Sequence, residues 1–243
     1  METVVSVVKI IWIGFWAILA TIVMFIPIAG AALLSKTGNL ATSLSKVWAW
    51  VMVIASGVRI NVRGREKIQK GQSYIIVSNH QSFYDILALV TKLGIQFRWI
   101  IKKELLKVPL FGYALYASRN VFIDRSNTSK SIASINQGLN RLPPGASILF
   151  FAEGTRSADG SIQKFKKGGF VMAVEKGMPI LPVTVSGSRK ILPKGSLVFN
   201  PGRMEVVVGD PIDASKYTHE TIDELIDKTR NVVISNYNPA YPE

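Results

Sequence analysis

The sequence predicts an α/β fold, a mostly central β-sheet flanked by helices, preceded by an N-terminal two-helix membrane hairpin. Short apolar runs of strand length alternate with longer stretches of helical periodicity, which predicts the α/β part. A long apolar segment near the start, followed by a second and less apolar helical segment, predicts the hairpin. The 243 residues suffice for one such domain plus an accessory segment. We therefore predict a hairpin over residues 1–58 and an α/β domain over residues 59–243.

The first arm of the predicted hairpin is the nearly continuous apolar segment 10–34. As a helix it rises about 1.5 Å per residue, which is enough to cross a hydrocarbon core of about 30 Å. Pro27 predicts a kink in this arm. Residues 1–35 lack a basic start followed by a short apolar stretch and a small-residue cleavage site, so we do not expect a cleaved signal peptide.

The second arm, residues 40–58, predicts a shallower helix after a turn at residues 35–39. Its apolar residues recur at helical spacing, but Lys46 and neighbouring hydroxyl groups interrupt the apolar surface. Either both arms span the bilayer, or the pair dips into one leaflet. Lys36 and Lys46 favour the shallow topology. A buried hairpin of a soluble protein is the alternative to both.

Predicted strands and helices alternate through the rest of the chain, which is typical of an α/β domain. The predicted strands are residues 57–62, 74–78, 99–101, 121–123, 147–151, 180–185 and 205–208. The predicted helices are residues 82–93, 130–142, 165–176 and 219–236.

Composition and charge indicate anionic partners. The chain has 29 lysines and arginines against 16 acidic residues, a formal net charge of +13, and a basic run at residues 59–70 directly follows the hairpin. This pattern predicts contact with anionic membrane phospholipids. The sequence has no zinc-finger spacing, RNA-binding aromatic motif or basic readout helix, so nucleic acid is not an expected partner. The absence of cysteine excludes disulfides.

His80 and Asp85 are the predicted catalytic residues. The apolar run 74–78 predicts a buried strand, and Ser82 with Asp85 predicts the N-cap of a helix. His80 then lies in the strand-to-helix turn, where a carboxylate can orient its ring as a general base. In isolation, the same residues also fit a helix cap beside a hydrogen-bonded loop histidine. We predict no metal site, because zinc needs three or four ligands and the other histidine, His219, lies in a polar C-terminal segment.

A second polar turn, residues 151–157, follows the apolar run before it and predicts a phosphate site. The guanidinium of Arg156 can bind a phosphomonoester through two parallel hydrogen bonds. Gly154 allows close approach of the backbone, and Thr155 offers a hydroxyl group. Glu153 is expected to orient Arg156 or the glycerol hydroxyls. By themselves, these residues also fit a surface turn with an ordinary ion pair.

Four blocks in one order resemble the motifs of the glycerolipid acyltransferase family, and most closely those of its 1-acylglycerol-3-phosphate (lysophosphatidic acid) acyltransferases. The blocks are Asn79-His80 with Asp85, Val121-Phe122-Ile123-Asp124-Arg125, Phe151-Ala152-Glu153-Gly154-Thr155-Arg156-Ser157 and Leu181-Pro182-Val183-Thr184-Val185. The resemblance covers about residues 60–210. It departs at Ala152, where the family usually has proline.

The resemblance implies a membrane enzyme of phospholipid biosynthesis on the cytoplasmic face of the cell inner membrane. Its substrates would be lysophosphatidic acid and either acyl-CoA or acyl carrier protein, and its product phosphatidic acid. His80, oriented by Asp85, would deprotonate the glycerol hydroxyl for direct attack on the thioester, without cofactor or covalent intermediate. Backbone N–H groups near the start of the helix at Ser82 are the expected oxyanion donors. Glycerol-3-phosphate or another lysophospholipid as acceptor, or a non-catalytic lipid-binding module, are the alternatives.

The resemblance also implies further substrate-binding residues. Lys102 best matches a lysine that contacts the substrate phosphate, with Lys103 as the neighbouring alternative. Arg125 becomes a substrate-site residue, although Asp124 and Arg125 also fit a salt bridge at a strand end. The block 181–185 has no titratable group, so we assign it to acyl-chain packing or scaffold. A basic loop of three lysines fits a phosphate site for the donor or a solvated surface: Lys164, Lys166 and Lys167.

Overall fold

The computed structural model describes residues 2–124, 133–135, 137–138 and 140–242, and within them seven strands form one sheet in the order β1-β7-β6-β2-β5-β3-β4. The strands are β1 Val58–Arg63, β2 Ile75–Ser78, β3 Phe97–Lys102, β4 Val121–Ile123, β5 Ser147–Phe151, β6 Ile180–Ser186 and β7 Gly202–Val208. β2 to β6 are mutually parallel, β7 is antiparallel to β6, and β1 is parallel to β7. The predicted fold class and all seven predicted strands are confirmed.

Helices precede the sheet and cover both of its faces. They are α1 Glu2–Leu34, α2 Asn39–Ala55, α3 Phe83–Lys92, α4 Phe111–Ala117, α5 Gly168–Lys176, α6 Ser188–Ile191 and α7 Ile222–Ser235. The helices predicted at 82–93, 165–176 and 219–236 are confirmed as α3, α5 and α7. α5 begins at Gly168, and just before it the backbone N–H of Lys166 donates to the carbonyl of Ala152 at 2.8 Å. The helix predicted at 130–142 lies partly outside the described residues.

The central strand β2 has apolar residues on both faces, as expected for a parallel strand between two layers of helices. Ile76 packs into a core with α2, α3 and β7. Ile75 and Val77 point to the opposite face and pack into a second core with α5 and α7. All three side chains are fully buried. The continuous apolar run therefore fixes β2, and the turn that follows it, in the middle of the molecule.

The hairpin packs along the α/β domain. From α2, Ala49, Met52 and Val53 enter the main core, where Ile13 and Ala17 of α1 pack against it. By length and composition, α1 can cross a membrane, and few of its residues are buried. This exposed apolar surface suggests association with a membrane.

Contacts near both ends of α1 hold it against the rest of the chain. Close to the start, Nζ of Lys9 donates to Oδ1 of Asn200 at 3.0 Å. Just beyond the end, the fully buried Arg98 of β3 donates to the carbonyl of Thr37 at 3.0 Å and to Oδ1 of Asn39 at 2.6 Å. Burial lowers the pKa of Arg98 to about 10. The turn of the hairpin is thereby fixed to the sheet.

Candidate active site

Four neighbouring parallel strands, β2, β5, β3 and β4, bring the predicted motifs to one edge of the sheet. Ser78 pairs with Phe151, and Lys102 pairs with Ile123, so the carboxyl ends of these strands are level. At about 4.8 Å between strands, the turn after β2 lies directly beside the turn after β5. Open α/β sheets bind their ligands at such an edge.

His80 and Asp85 form a hydrogen-bonded pair where β2 leads into α3. Nδ1 of His80 lies 2.8 Å from Oδ2 of Asp85. The carboxylate is fully buried, whereas 14% of the His80 side chain is exposed. Because an ionised carboxylate only accepts hydrogen bonds, Nδ1 carries the proton and Nε2 is left able to accept one.

The same oxygen of Asp85 caps α3. Oδ2 accepts the backbone N–H groups of Gln81 at 2.6 Å and Ser82 at 2.8 Å. Oγ of Ser82 in turn accepts the N–H of Tyr84 at 3.2 Å, which completes a capping box. The helix cap and the histidine pair are therefore one arrangement, and not alternatives.

The turn after β5 holds the ring and the backbone of His80. The imidazole stacks on Phe151, with ring centroids 3.7 Å apart. The N–H of His80 donates to Oε1 of Glu153 at 2.7 Å, and its carbonyl accepts the N–H of Ser157 at 2.8 Å. The first and third motifs are thus joined by one stacking contact and two hydrogen bonds.

Glu153 is a buried carboxylate whose described contacts are with backbone. Only 3% of the residue is exposed, and its second oxygen, Oε2, accepts the N–H of Gln163 at 2.9 Å. Burial raises the pKa of Glu153, while the hydrogen bonds from Gln163 and His80 oppose that increase. These contacts orient His80, a role that the sequence interpretation did not assign to Glu153.

Asn79 is a further structural residue that sequence interpretation missed. Its fully buried side chain accepts the N–H of Val185 at 2.8 Å and donates to the carbonyl of the same residue at 2.9 Å. The amide therefore completes the pairing of β2 with β6 beyond the last residue of β2. In the sequence, only its position directly before His80 could have indicated this role.

Arg156 lies on the same turn, next to the residue that bonds to His80. Within the described residues, no hydrogen bond or ion pair engages its partly exposed guanidinium. Thr155 is exposed, and Gly154 has a φ of +74°. A Cβ at Gly154 would lie 2.9 Å from Nζ of Lys166, so that ammonium group lies against the turn. The structure thus places Gly154, Thr155, Arg156 and a lysine of the basic loop together.

The two candidate lysines at the end of β3 differ in their contacts. Nζ of Lys103 pairs with Oδ2 of Asp124 at 2.6 Å. Lys102 is exposed, and its ammonium has no ion pair with any residue that the structure describes. Arg125 lies outside the described residues. Of these two lysines, Lys102 is therefore the one that we expect to contact a ligand.

Ala152, where the family usually has proline, makes a backbone hydrogen bond. Its buried N–H donates to the carbonyl of Ser78 at 3.2 Å, which a proline could not do.

The two remaining predicted segments have structural contacts. The block 181–185 lies within the fully buried strand β6. In the basic loop, Lys167 pairs with Asp223 at 2.8 Å.

An apolar cavity of about 100 Å³ lies between the hairpin, α3, β3 and α4. Trp99, in its wall, has its ring 5.5 Å from that of Phe151, which stacks on His80. The cavity is therefore separated from the histidine by two aromatic rings. Its apolar lining includes Phe25, Ile28, Trp48, Ile86, Val90, Trp99, Leu110, Phe111, Ala114 and Leu115. The block 181–185 contributes no residue to this lining.

Comparison with known proteins agrees with this site. A family model described as acyltransferase matches residues 59–186, which include the histidine pair and the turn after β5. The chain belongs to the acyltransferase family. This confirms the family predicted from the four blocks.

Curated relatives extend the similarity along most of the chain. The chloroplastic 1-acyl-sn-glycerol-3-phosphate acyltransferase BAT2 of Brassica napus is 33% identical over 80% of this chain and 55% of its own length. The 1-acyl-sn-glycerol-3-phosphate acyltransferase of Saccharomyces cerevisiae is 30% identical over 99% of this chain and 79% of its own. This chain thus spans little more than half of the Brassica relative.

A solved structure has the same fold. The 1-acyl-sn-glycerophosphate (LPA) acyltransferase PlsC from Thermotoga maritima superposes with a TM-score of 0.81 at 24% sequence identity, covering 97% of each chain. Because the match covers nearly all of both chains, it includes the N-terminal hairpin as well as the sheet.

Proposed function

We propose that the protein transfers an acyl chain from an acyl thioester to the free sn-2 hydroxyl of 1-acylglycerol-3-phosphate, giving phosphatidic acid. The observation that carries the proposal is the His80–Asp85 pair, 2.8 Å apart, beside the Arg156 turn on the ligand-binding edge of the sheet. The named activity of the relatives supports the choice of substrate.

In the proposed mechanism, His80 acts as a general base. Nε2 takes the proton of the glycerol hydroxyl while that oxygen attacks the carbonyl carbon of the thioester. The new C–O bond forms, the C–S bond breaks, and the departing thiolate takes the proton back from His80. Asp85 stabilises the imidazolium that exists between these steps. A thioester is already activated, so no enzyme-bound acyl intermediate is required.

The expected oxyanion donors at the start of α3 are mostly occupied. The N–H groups of Gln81 and Ser82 donate to Asp85, and that of Tyr84 donates to Ser82. These three N–H groups orient the side chain of Asp85 and cap α3. Other donors at this edge are therefore left to stabilise the oxyanion. We propose the ammonium of Lys166, which lies against Gly154, as one such donor.

Arg156, Lys102 and Arg125 are the proposed ligands for the acceptor phosphate. The Arg156 guanidinium is unengaged within the described residues, and Lys102 is exposed two strands away from the histidine turn. Gly154 would allow the backbone to approach the phosphate closely, and Thr155 would contribute a hydroxyl group. We propose that Glu153 contributes to the same site indirectly, by accepting the backbone N–H of His80 and so orienting that residue. Arg125 keeps the role that the family resemblance implies.

The apolar cavity is the proposed pocket for an acyl chain. Most of its lining is apolar, α1 and α2 bound it on one side and α4 on the other, and its polar lining residues are Thr21, Thr42, Ser45, Lys46, Ser118 and Asn120. Because its wall approaches the histidine through Trp99 and Phe151, a chain bound there would have its carboxyl end near His80.

We propose that α1 lies in one leaflet of the inner membrane on its cytoplasmic face. A helix from Lys9 to Leu34 is roughly 38 Å long, yet Lys9 and the turn after α1 both contact the α/β domain. A helix crossing the bilayer would carry one end away from that domain. Cytosolic acyl-CoA or acyl carrier protein can then reach the site while the acceptor stays in the leaflet. Vesicle flotation at low and high salt tests whether α1 attaches through its apolar surface, because only an electrostatic attachment is released by salt.

The decisive experiment supplies detergent-purified full-length protein with lysophosphatidic acid and either acyl-CoA or acyl carrier protein, and resolves the products by mass. Formation of phosphatidic acid with one donor supports the proposal and identifies that donor. Glycerol-3-phosphate and other lysophospholipids serve as competing acceptors. Product from one of them alone would reassign the substrate, and no product from any pair would favour a lipid-binding module.

A further inference from the structure

We propose that the segment between β3 and β4 forms a second bilayer-contact surface, which enters the same leaflet as α1. The inference rests on the proposed attachment of α1 to a membrane. Six large apolar side chains of this segment are between 37% and 56% exposed. This second surface consists of Leu105, Leu106, Val108, Leu110, Tyr113 and Tyr116.

The second surface is held in shape by its own backbone. A 3-10 helix, Lys103–Lys107, is followed by α4, whose Gly112 donates its N–H to the carbonyl of Val108 at 2.7 Å. A Cβ at Gly112 would collide with the carbonyl oxygen of Leu106. Leu110, the residue before α4, has a φ of +59°, which is unusual for a residue with a side chain. The exposed side chains therefore belong to a packed substructure.

The second surface is continuous with the apolar face of α1. Tyr113 contacts Phe25 edge to face, with ring centroids 5.6 Å apart. Phe25 is flanked on α1 by Ile22 and Ile26, which are 54% and 77% exposed. On the inner side of α4, Ala117 packs with Ile28 in a small core between the two helices. A leaflet that accepts this part of α1 would therefore meet the second surface as well.

Charges around the second surface suit an anionic lipid leaflet. Lys102, Lys107 and Arg119 are exposed, and none of them forms an ion pair with a described residue. Glu104 is the exposed acidic residue of the same stretch. Basic side chains beside an exposed apolar patch place their ammonium groups at the level of lipid phosphates while the apolar side chains enter the acyl region. A patch of six exposed apolar side chains is unfavourable in contact with water and is typical of a surface that binds a membrane or another protein.

The second surface also adjoins the cavity. Leu110 belongs to both, since it is 37% exposed and lines the cavity wall. Phe111, Ala114 and Leu115 face the cavity from the same helix that presents Tyr113 and Tyr116 outward. A lipid chain leaving the bilayer at Leu110 would therefore reach the cavity without crossing water.

The chain has no cysteine, so single cysteines can be introduced into the full-length protein as sites for a fluorescent nitrobenzoxadiazole label. The test sites are Leu106→Cys and Tyr113→Cys. Ile18→Cys, 63% exposed on α1, is the reference for the proposed attachment. Ile234→Cys, 40% exposed on α7 at the other face of the sheet, is the matched control in water. Each labelled protein is added to phosphatidylcholine–phosphatidylglycerol vesicles with brominated acyl chains.

We expect bromine to quench the labels at 106, 113 and 18 several-fold more than the label at 234. Labels at 106 and 113 that behave like 234 while 18 is quenched would overturn the second surface alone. An unquenched label at 18 as well would overturn the proposed attachment with it. Labels at 106 and 113 that are shielded from aqueous iodide but not quenched by bromine would assign this surface to contact with a second copy of the chain, which also overturns the proposal.

Discussion

The imidazole of His80 lies flat on the ring of Phe151, with the two planes only 5° from parallel. Asp85 holds the edge of the same imidazole through Nδ1. One contact fixes the plane of the ring and the other fixes its tautomer, so the direction of Nε2 is set by two elements that follow different strands.

Replacing His80 with alanine should lower turnover by about 10² to 10⁴, the usual contribution of a positioned general base. His219→Ala is the matched control, because this second histidine is 64% exposed and lies 4.0 Å from Glu175. Turnover is measured as phosphatidic acid formed per folded enzyme. If folded His80→Ala protein kept half of the wild-type turnover, His80 could not be the base.

Replacing Asp85 with asparagine should reduce both turnover and stability, because one oxygen serves the histidine and the helix cap. Ser82→Ala removes the cap bond from Tyr84 and the bond that Oγ donates to the carbonyl of Leu192 at 2.8 Å, but no contact with His80. We expect a stability loss of about 1 kcal/mol for Ser82→Ala, with turnover close to wild type. Thermal unfolding and turnover are compared for both variants. Equal losses of turnover in the two would show that Asp85 acts through the cap alone.

Replacing Arg156 with alanine should raise KM for the phosphorylated acceptor much more than KM for the acyl donor. The reason is that the proposed two-pronged contact is with the acceptor phosphate. Arg203→Ala, an exposed arginine on β7, controls for the loss of one positive charge. Initial rates with each substrate varied in turn give both constants. Equal increases in the two KM values would remove Arg156 from the acceptor site.

Glu153 should make stability depend on pH in a defined direction. Because burial raises its pKa above 4.5, the folded state holds this proton more tightly than the unfolded state does. The stability of wild type relative to Glu153→Gln should therefore be greatest below pH 4.5, fall as pH rises through the folded pKa, and then level off. Unfolding of both proteins in detergent from pH 4 to 8 measures this difference. A difference that rises over this range would contradict the raised pKa.

Narrowing the cavity should shift the enzyme toward shorter acyl donors. Ala114→Leu adds bulk from α4 into the cavity without adding polarity. We expect activity with the longest donors to fall most, while the shortest donors are used at nearly the wild-type rate. A series of donors of increasing chain length supplies the measurement. A uniform loss across the series would indicate that the chain binds elsewhere.

Sequence patterns predicted the sheet and the histidine pair because these depend on local order. An apolar run followed by a capping residue specifies β2, the turn and α3 without reference to distant residues. The hydrogen bonds between Asn79 and Val185 join residues far apart in the chain, so no local periodicity predicts them. The burial of Arg98 could not be predicted either. An arginine in a strand does not indicate that its partners are carbonyl and amide oxygens of the hairpin turn.

Two short helices, α4 and α6, were not predicted. α4 has only seven residues, so its apolar stripe of Phe111, Ala114 and Leu115 is too short to stand out as helical periodicity in the sequence. Its position is set by tertiary contacts with α1 and with the preceding 3-10 helix, and not by intrinsic helix propensity. The cavity and the exposed surface around α4 were missed for the same reason.

The contacts at both ends of α1 have a consequence for how the enzyme meets its lipid. No flexible tether separates the hairpin from the strands, since Arg98 joins the turn to β3 and α2 leads into β1 within a few residues. In the proposed attachment, the height of His80 above the leaflet is consequently a fixed dimension of the folded protein. Lengthening the turn between α1 and α2 would disturb packing without giving the site greater reach. A change in bilayer thickness would likewise leave that height unaltered.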